Sequence, residues 1–142
     1  MKSRGLFSIV SFVLLLNSCS RAPEGRIVER VGIDRGICVL LGDRNCGAAL
    51  QLARETDLMI YVQLESAEEV EAARRAADAG GFYGNRIWVD KGALSRVHLG
   101  DNLADVLVAS GDAADKISKE EALRVLCPRG KALLGRRSLV KP

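Results

Sequence analysis

The sequence has 142 residues and a formal charge of +3, with 48% hydrophobic and 4% aromatic residues. This length suits one domain, and the apolar content supports a packed core rather than a disordered chain. The few aromatic residues and the scattered cations provide neither a stacking platform nor a basic stripe, so we expect no nucleic-acid binding.

The first 18 residues resemble the signal peptide of an exported bacterial protein. Lys2 and Arg4 precede an apolar run over residues 6–16. This run is about half as long as the roughly 20 apolar residues that cross a bilayer, and its length is typical of a signal peptide. We therefore expect export, to the periplasm or the cell envelope.

A lipid-attachment motif follows the apolar run. Leu16, Ser18 and Cys19 stand where a bacterial lipobox has its −3, −1 and +1 residues. Cys19 then becomes the lipidated first residue of a lipoprotein, residues 19–23 form a short linker, and the lipid is the only membrane contact. An ordinary signal peptide that is cleaved nearby is the alternative. Without residues 1–18 the chain has 19 Lys and Arg residues against 18 Asp and Glu residues, so electrostatic attraction to acidic surfaces is weak.

The other three cysteines are Cys38, Cys46 and Cys127, and none of them belongs to a C-x-x-C pair. His98 is the only histidine. Zinc sites use closely spaced pairs of cysteine and histidine ligands, so we expect no metal site. One disulfide among the three cysteines is compatible with an oxidising compartment, and the sequence leaves its pairing open.

Residues 24–142 alternate between short apolar runs and helical patterns. The apolar runs predict buried strands at residues 36–41, 58–64, 86–89, 104–110 and 131–135. Helices are predicted at residues 24–33, 47–55 and 66–81, and from residue 118 to the residue before Pro128. This alternation predicts one α/β domain over residues 24–142, with a mostly parallel sheet and helices on both faces.

Two of the predicted helices begin with a capping box, in which a serine and a glutamate three residues later satisfy the first amides. The pairs are Ser66 with Glu69 and Ser118 with Glu121. Within the first of these helices we also expect an ion pair between Glu71 and Arg75, which are four residues apart.

Gly42 and Gly47 bracket the bend between the first strand and the following helix. Their spacing matches a P-loop, but Ala48 and Ala49 replace the lysine and the hydroxyl residue that such a loop needs. A dinucleotide fingerprint fails as well, because Arg44 stands in place of the middle glycine. Since ligands of open parallel sheets bind at the carboxyl ends of the strands, we expect this bend at the rim of a cleft.

Three segments between about residue 30 and residue 135 resemble a class I S-adenosylmethionine-dependent methyltransferase domain. "VLLGDRNCG" is similar to the glycine-rich turn beneath the methionine part of the cofactor. "GDNLADVLVAS" is similar to the family's fourth strand, and "EALRVLCPRGKALL" to its fifth-strand turn, with Arg129 in place of a glycine. The resemblance implies a Rossmann-like fold, S-adenosylmethionine as cofactor, and cofactor contacts by Gly42, Asp43 and Gly47.

The resemblance is incomplete at two further cofactor contacts. The acid that binds the ribose hydroxyls falls at Leu64, so the adjacent Glu65 is the candidate substitute. The acid that contacts adenine falls near Ala93, and Asp90 is the nearest candidate. Two lost polar contacts cost roughly 2–6 kcal/mol, or on the order of 30-fold to 10⁴-fold in affinity. We therefore expect a cofactor site that is weak or inactive.

Several side chains have a structural alternative to a chemical role. Asp43 either accepts a cofactor amine or caps the next helix, and His98 is either a general base with Asp101 or a plain loop residue. Cys46 is a nucleophile only if its pKa is lowered. Tyr61 and Trp88 are expected in the strand core.

Two functions follow as hypotheses. The first is an S-adenosylmethionine-dependent methyltransferase, and the second is a non-catalytic exported module that binds a partner or supports another domain. The chain also resembles the N-terminal segment of secreted bacterial proteins in which a methyltransferase-like segment precedes a quinoprotein-like β-propeller. Because the family's sheet has seven strands, we expect this chain to stop after the fifth, with residues 135–142 covering little of the open edge. It is then a fragment or needs a partner.

Overall fold

The computed structural model describes residues 25–142, so the expected signal peptide, the linker and Cys19 lie outside the described residues. The strands are β1 (Arg35–Leu41), β2 (Asp57–Leu64), β3 (Ile87–Lys91), β4 (Ala104–Ala109), β5 (Leu126–Leu134) and β6 (Arg137–Val140). The helices are α1 (Ile27–Val31), α2 (Gly47–Glu55), α3 (Ala67–Ala79), α4 (Ala113–Lys116) and α5 (Lys119–Val125). Among residues 25–142, no helix has the length and apolar character needed to cross a bilayer.

The six strands form one sheet in the order β3-β2-β1-β4-β5-β6. Neighbouring strands are parallel except for β6, which runs antiparallel to β5. The predicted α/β fold with a mostly parallel sheet is therefore confirmed. The strand order reverses between β1 and β4, which places the bend after β1 at the switch point where ligands of such sheets bind.

Helices cover both faces of the sheet. Cys38 and Leu40 of β1 pack with α1, α2 and α3 on one face, whereas Val39 and Leu41 pack with α4 and α5 on the other. All four side chains are buried. This two-sided burial explains why the strands are continuous apolar runs, and each fully buried Val or Leu stabilises the fold by about 1.5–3 kcal/mol.

The chain continues past the fifth strand. After Gly135 it turns back, and β6 pairs with β5 from Lys131 opposite Val140 to Leu134 opposite Arg137. The expectation that residues 135–142 cover little of the open edge was therefore wrong. The reason is that a hairpin needs only a tight turn, which the positive φ of Gly135 (61°) provides.

The junction between α5 and β5 also differs from the prediction. The helix ends at Val125, because Leu126 already pairs with Ala104 in the sheet. The register then shifts, so that the next pair joins Lys131 to Val106. Pro128 lies in this irregular part, where a missing amide breaks no regular ladder. Arg129 there has a φ of 67°, a conformation that glycine adopts more easily.

One of the two predicted serine caps forms. The Ser118 hydroxyl accepts a hydrogen bond from the Glu121 amide, as predicted. The Ser66 side chain makes no capping hydrogen bond. Its predicted partner Glu69 instead lies 3.0 Å from the Arg44 guanidinium, so a contact between distant residues replaces the local one.

Glu71 forms its ion pair with Arg74 rather than with Arg75. Arg74 also donates two hydrogen bonds, at 3.1 and 2.9 Å, to the carbonyl of Val89. Since β3 lies at the edge of the sheet, this arginine covers part of an otherwise open strand. Arg74 therefore contacts both Glu71 and the edge strand β3.

Candidate functional site

The bend after β1 is a tight turn held by its own backbone. The Arg44 amide donates to the Gly42 carbonyl and the Cys46 amide to the Asp43 carbonyl, each at 3.0 Å. The Gly42 amide donates to the Gln63 carbonyl of β2 at 3.2 Å. The bend is therefore fixed at the carboxyl edge of the sheet, as predicted.

The Asp43 side chain caps α2. Its carboxylate accepts hydrogen bonds from the amides of Ala48 (3.4 Å) and Ala49 (2.9 Å) at the start of that helix. Burial raises the pKa of Asp43 above its ordinary value, although these amides favour the charged form. The structure thus gives Asp43 the capping role that the sequence left as an alternative to cofactor binding.

The backbone of Gly42 is approached closely by α4. A Cβ atom at Gly42 would lie 3.0 Å from the Cβ of Ala113 and about 4.0 Å from a methyl of Leu94. A Cβ at Gly47 would meet nothing within 4 Å. The space at Gly42 is therefore used for packing inside the chain, whereas the space at Gly47 is open.

Five charged side chains connect the turns at the carboxyl edge, and we refer to Arg44, Glu65, Glu69, Asp112 and Lys116 as the carboxyl-edge network. Arg44 contacts Glu69 at 3.0 Å and Asp112 at 3.2 Å. Lys116 contacts Glu65 at 2.5 Å and Asp112 at 3.4 Å. The network therefore joins the turns that follow β1, β2 and β4, across the place where a cofactor is expected.

Glu65, the candidate for the ribose contact, already has a partner within the chain. Its carboxylate accepts a hydrogen bond from the Lys116 ammonium. The bond from Lys116 is the main reason that the pKa of Glu65 lies below its ordinary value. The preceding residue, Leu64, is buried in the apolar layer against α2 and α3 and offers no polar atom from its side chain.

Asp90, the candidate for the adenine contact, lies on the opposite side of β2 from the bend. Its carboxylate is 3.4 Å from the Tyr61 hydroxyl and 3.7 Å from the Arg74 guanidinium. Ala93, where the family has its acid, uses its carbonyl to accept a bond from Gln63 at 2.7 Å. Asp90 is therefore not brought into contact with Gly42, Asp43 or Gly47 by any hydrogen bond or ion pair of the described residues.

A loop over residues 92–103 connects β3 to β4 and is held by a buried amide. The Gln63 side chain, which is fully buried, donates to the carbonyls of Ala93 and Arg96, each at 2.7 Å. Its oxygen accepts a bond from the His98 amide at 3.0 Å. One side chain thus satisfies three backbone groups of the loop, which fixes the path of the chain.

A second anchor holds the same loop from α5. The nearly buried carboxylate of Glu121 accepts hydrogen bonds from the Val97 amide (2.8 Å) and the Arg124 guanidinium (2.7 Å). Arg124 also donates to the carbonyls of Val97 and Leu99 and pairs with Asp101 at 2.7 Å. Asp101 is therefore engaged with an arginine, which removes the support for a His98–Asp101 acid–base pair.

The loop leaves an open apolar hollow of about 370 Å³ on the sheet face beside β2 and β3. We refer to it as the β2–β3 hollow. Its lining residues are Ile37, Met59, Ile60, Tyr61, Trp88, Asp90, His98, Leu99 and Leu103. Tyr61 is buried as predicted, but Trp88 is only half-buried because it borders this space. The hollow includes no residue of the Gly42–Gly47 bend.

The cysteines of the described chain are free thiols. Cys38 and Cys46 are fully buried, and burial raises the pKa of each to about 12. The lowered pKa that a nucleophilic Cys46 requires is therefore not found, since burial disfavours its thiolate. In residues 25–142 no group of three or more His, Cys, Asp or Glu side chains has the geometry of a metal site.

The residues around the bend do not fit S-adenosylmethionine in this arrangement. A cofactor there needs an acid for its ribose hydroxyls and open space over the first glycine. The acid at hand is bonded to Lys116, and the space over Gly42 is filled by Ala113. Sequence reasoning identified Glu65 and Gly42 but missed Lys116, because no local pattern shows that residues 51 positions apart form a pair.

Comparisons with protein-family models and with curated proteins gave no match. Among solved structures, the chain is similar to a protein of Methanococcus maripaludis assigned as an S-adenosyl-L-methionine-dependent methyltransferase (26% identity, TM-score 0.65). It is also similar to the [4+2]-cyclase SpnF (25%, 0.66) and to a SAM-dependent methyltransferase of Aquifex aeolicus (17%, 0.65).

Each of these similarities covers 75% of this chain, which in turn spans 50%, 40% and 59% of the three structures. One of the three neighbours is named as a cyclase, so this fold does not by itself fix the reaction. By its fold, the described chain is a class I methyltransferase-like domain.

Proposed function

We propose that this domain is a non-catalytic binding module that uses the methyltransferase fold without turning over S-adenosylmethionine. The observation that carries the proposal is the ion pair between Glu65 and Lys116. The capping role of Asp43 and the packing of Ala113 on Gly42 add to it. A cofactor would have to displace these contacts before forming its own, and that cost lowers its affinity.

A weak S-adenosylmethionine-dependent methyltransferase is the second candidate. The side chains of the carboxyl-edge network are between 32% and 55% exposed. Ion pairs between side chains as exposed as these contribute little to stability, so a bound ligand can replace them with its own contacts. Glu65 would then be free to accept the ribose hydroxyls, and the solved methyltransferases of similar fold support this alternative.

Calorimetric titration of the purified protein with S-adenosylmethionine separates the two candidates. The binding-module proposal predicts no saturable heat at about 1 mM cofactor, and saturation in the micromolar range would overturn it. The double variant Arg44→Gln/Lys116→Gln opens the network, and the weak-enzyme alternative predicts tighter binding in this variant. Arg54→Gln/Lys119→Gln changes the charge equally at exposed positions outside the network and is the matched control.

We also propose that the protein is exported and anchored to the membrane by a lipid on Cys19. The support is the apolar run over residues 6–16 and the Leu16-to-Cys19 motif. Labelling cells with a fatty-acid analogue tests this proposal, with Cys127→Ala as the control for loss of a thiol. Loss of label in Cys19→Ala alone is expected, whereas equal labelling of both variants contradicts the anchor.

A protein partner or a following domain is the proposed ligand of the module. The chain spans 40–59% of the three solved structures described above and resembles the first segment of secreted β-propeller proteins. Sequencing the DNA beyond codon 142 tests the second possibility. A continued reading frame supports a following domain, and a stop codon leaves a separate protein as the partner to be sought by crosslinking in the envelope.

A further inference from the structure

The β2–β3 hollow is bordered by the loop between β3 and β4, whose His98, Leu99 and Leu103 line it. Gln63 and the Glu121–Arg124 pair hold this loop through its backbone, at residues 93–99. The loop therefore cannot settle onto the neighbouring strands without breaking buried hydrogen bonds. The hollow is preformed, and its volume of about 370 Å³ lies within the range of small-molecule sites.

The floor of the hollow is apolar and partly open to solvent. Met59 is 48% exposed on β2, although it lies within a sheet strand, and Leu103 is 47% exposed at the end of the loop. Ile37 of β1 and the ring of Trp88 complete this surface. A ligand with an apolar body would remove these groups from water and gain free energy in proportion to the area covered.

The polar end of the hollow is negative. Asp90 is the only carboxylate among the lining residues, and no lysine or arginine lines the hollow. Arg74, which lies 3.7 Å from one oxygen of Asp90, reaches it from α3 on the other side of the sheet, and the second oxygen faces the Tyr61 hydroxyl. A carboxylate beside two aromatic rings attracts cations and repels anions.

We propose that the β2–β3 hollow binds a small organic cation with an apolar body, with its ammonium group at Asp90 and its body on Met59 and Leu103. The aromatic pair Tyr61 and Trp88 would then contribute to both parts of the ligand. This inference rests on the proposed function only in treating the domain as a binding module. The hollow shares no lining residue with the Gly42–Gly47 bend.

The sequence provides a direct reporter, because Trp88 is its only tryptophan and lines the hollow. Tryptophan emission of the purified protein is measured during titration with three probes that share a phenyl ring: 2-phenylethylamine, 2-phenylethanol and 3-phenylpropionate. The amine is expected to give a saturable change at about millimolar concentration and to bind roughly tenfold more tightly than the alcohol. The carboxylate is expected to give no saturable change.

Two variants locate the two ends of the ligand. Asp90→Asn should lower the affinity for the amine to that for the alcohol, and the affinity for the alcohol should not change. Asp78→Asn, which alters an exposed acid on α3, is the matched control. Leu103→Ala should weaken the amine and the alcohol together. Equal binding of amine and carboxylate, amine binding that survives Asp90→Asn, or no response to any probe in the folded protein would overturn the proposal.

The test does not depend on S-adenosylmethionine. Binding of that cofactor at the bend, detected by calorimetry and by the amides of residues 42–49, would contradict the proposed function and leave the amine result standing. If the probes do not change the emission of Trp88 and the cofactor titration shows no binding, only the inference about the hollow is overturned.

Discussion

The Lys116 ammonium lies 2.5 Å from the Glu65 carboxylate, and this pair joins the turn after β2 to α4 across the carboxyl edge of the sheet. The same lysine reaches Asp112 at 3.4 Å. Glu65, the acid next to the position that the family resemblance assigns to the ribose contact (Leu64), is thus engaged in an internal ion pair. The fold has been kept while the polar groups at its cleft bond to one another.

Lys116→Gln should raise the pKa of Glu65 toward its ordinary value, since the hydrogen bond from Lys116 is the largest cause of its lowering. A lowered carboxyl pKa contributes stability above the unfolded-state value, and this contribution is lost as the pH falls through the folded-state value. A carbon-detected NMR titration of the glutamate carboxyls measures the shift. Lys119→Gln removes an exposed charge from α5 and should leave the pKa of Glu65 unchanged. If the pKa of Glu65 is the same in the unmodified protein and in both variants, the ion pair between Lys116 and Glu65 does not form.

Gln63→Leu should destabilise the protein and loosen the loop over residues 92–103. The substitution removes the partners of two carbonyls and one amide, at a cost of about 2–4 kcal/mol because the loop can move partly into water. Urea unfolding measures the free energy. The same change at the partly exposed Gln51 is the control, and an identical midpoint for both variants would mean that Gln63 does not hold the loop.

Glu121→Gln should lower stability at neutral pH by about 2–4 kcal/mol, because it leaves Arg124 without its nearly buried partner. The bond from Arg124 is the main reason that the pKa of Glu121 is below its ordinary 4.5, so its stabilising effect is complete above that value and disappears as the pH falls. Unfolding midpoints measured from neutral to acidic pH should therefore fall more steeply in the unmodified protein than in the variant. Parallel profiles would contradict this account, and Glu120→Gln on the exposed side of α5 is the control.

Gly36→Ala and Gly47→Ala should have opposite effects. Gly36 has a φ of 120°, and a Cβ there would overlap the Asp105 carboxylate, which accepts the Ile37 amide at 2.8 Å. We expect a loss of about 2–4 kcal/mol at this position from the combined backbone and steric strain.

At Gly47 the first turn of α2 has free space and no positive φ, so alanine should be neutral or stabilising by up to about 1 kcal/mol. Thermal unfolding of both variants checks the pair. A large loss of stability in Gly47→Ala would indicate a role for this glycine that the packing around it does not explain.

The parallel core was predictable from the sequence because its signals are local. Continuous apolar runs located β1 to β5, and the predicted bounds of the second helix (residues 47–55) agree with α2. By contrast, β6 consists of a short, mostly exposed segment whose pairing depends on the finished edge of β5. The end of α5 was misplaced because helix and strand follow one another there without a polar break.

The candidate site was only partly predictable. Asp43 and Glu65 were found by their place after the strands, but their partners lie in other segments of the chain. Gln63 carried a usable signal, since a lone amide inside the apolar run of β2 has to find hydrogen-bond partners when buried. The β2–β3 hollow left no comparable signal, because its lining residues come from three strands and a loop that are distant in sequence.

The most direct test of the central claim is an amide NMR titration of the isotope-labelled protein with S-adenosylmethionine. Residues Gly42 to Ala49 are the reporters, because the bend holds the backbone that a cofactor would approach. If the cleft is closed by its own contacts, these amides keep their positions up to roughly 1 mM cofactor. Progressive and saturable shifts centred on Gly42 and Gly47 would contradict the account and identify a working cofactor site.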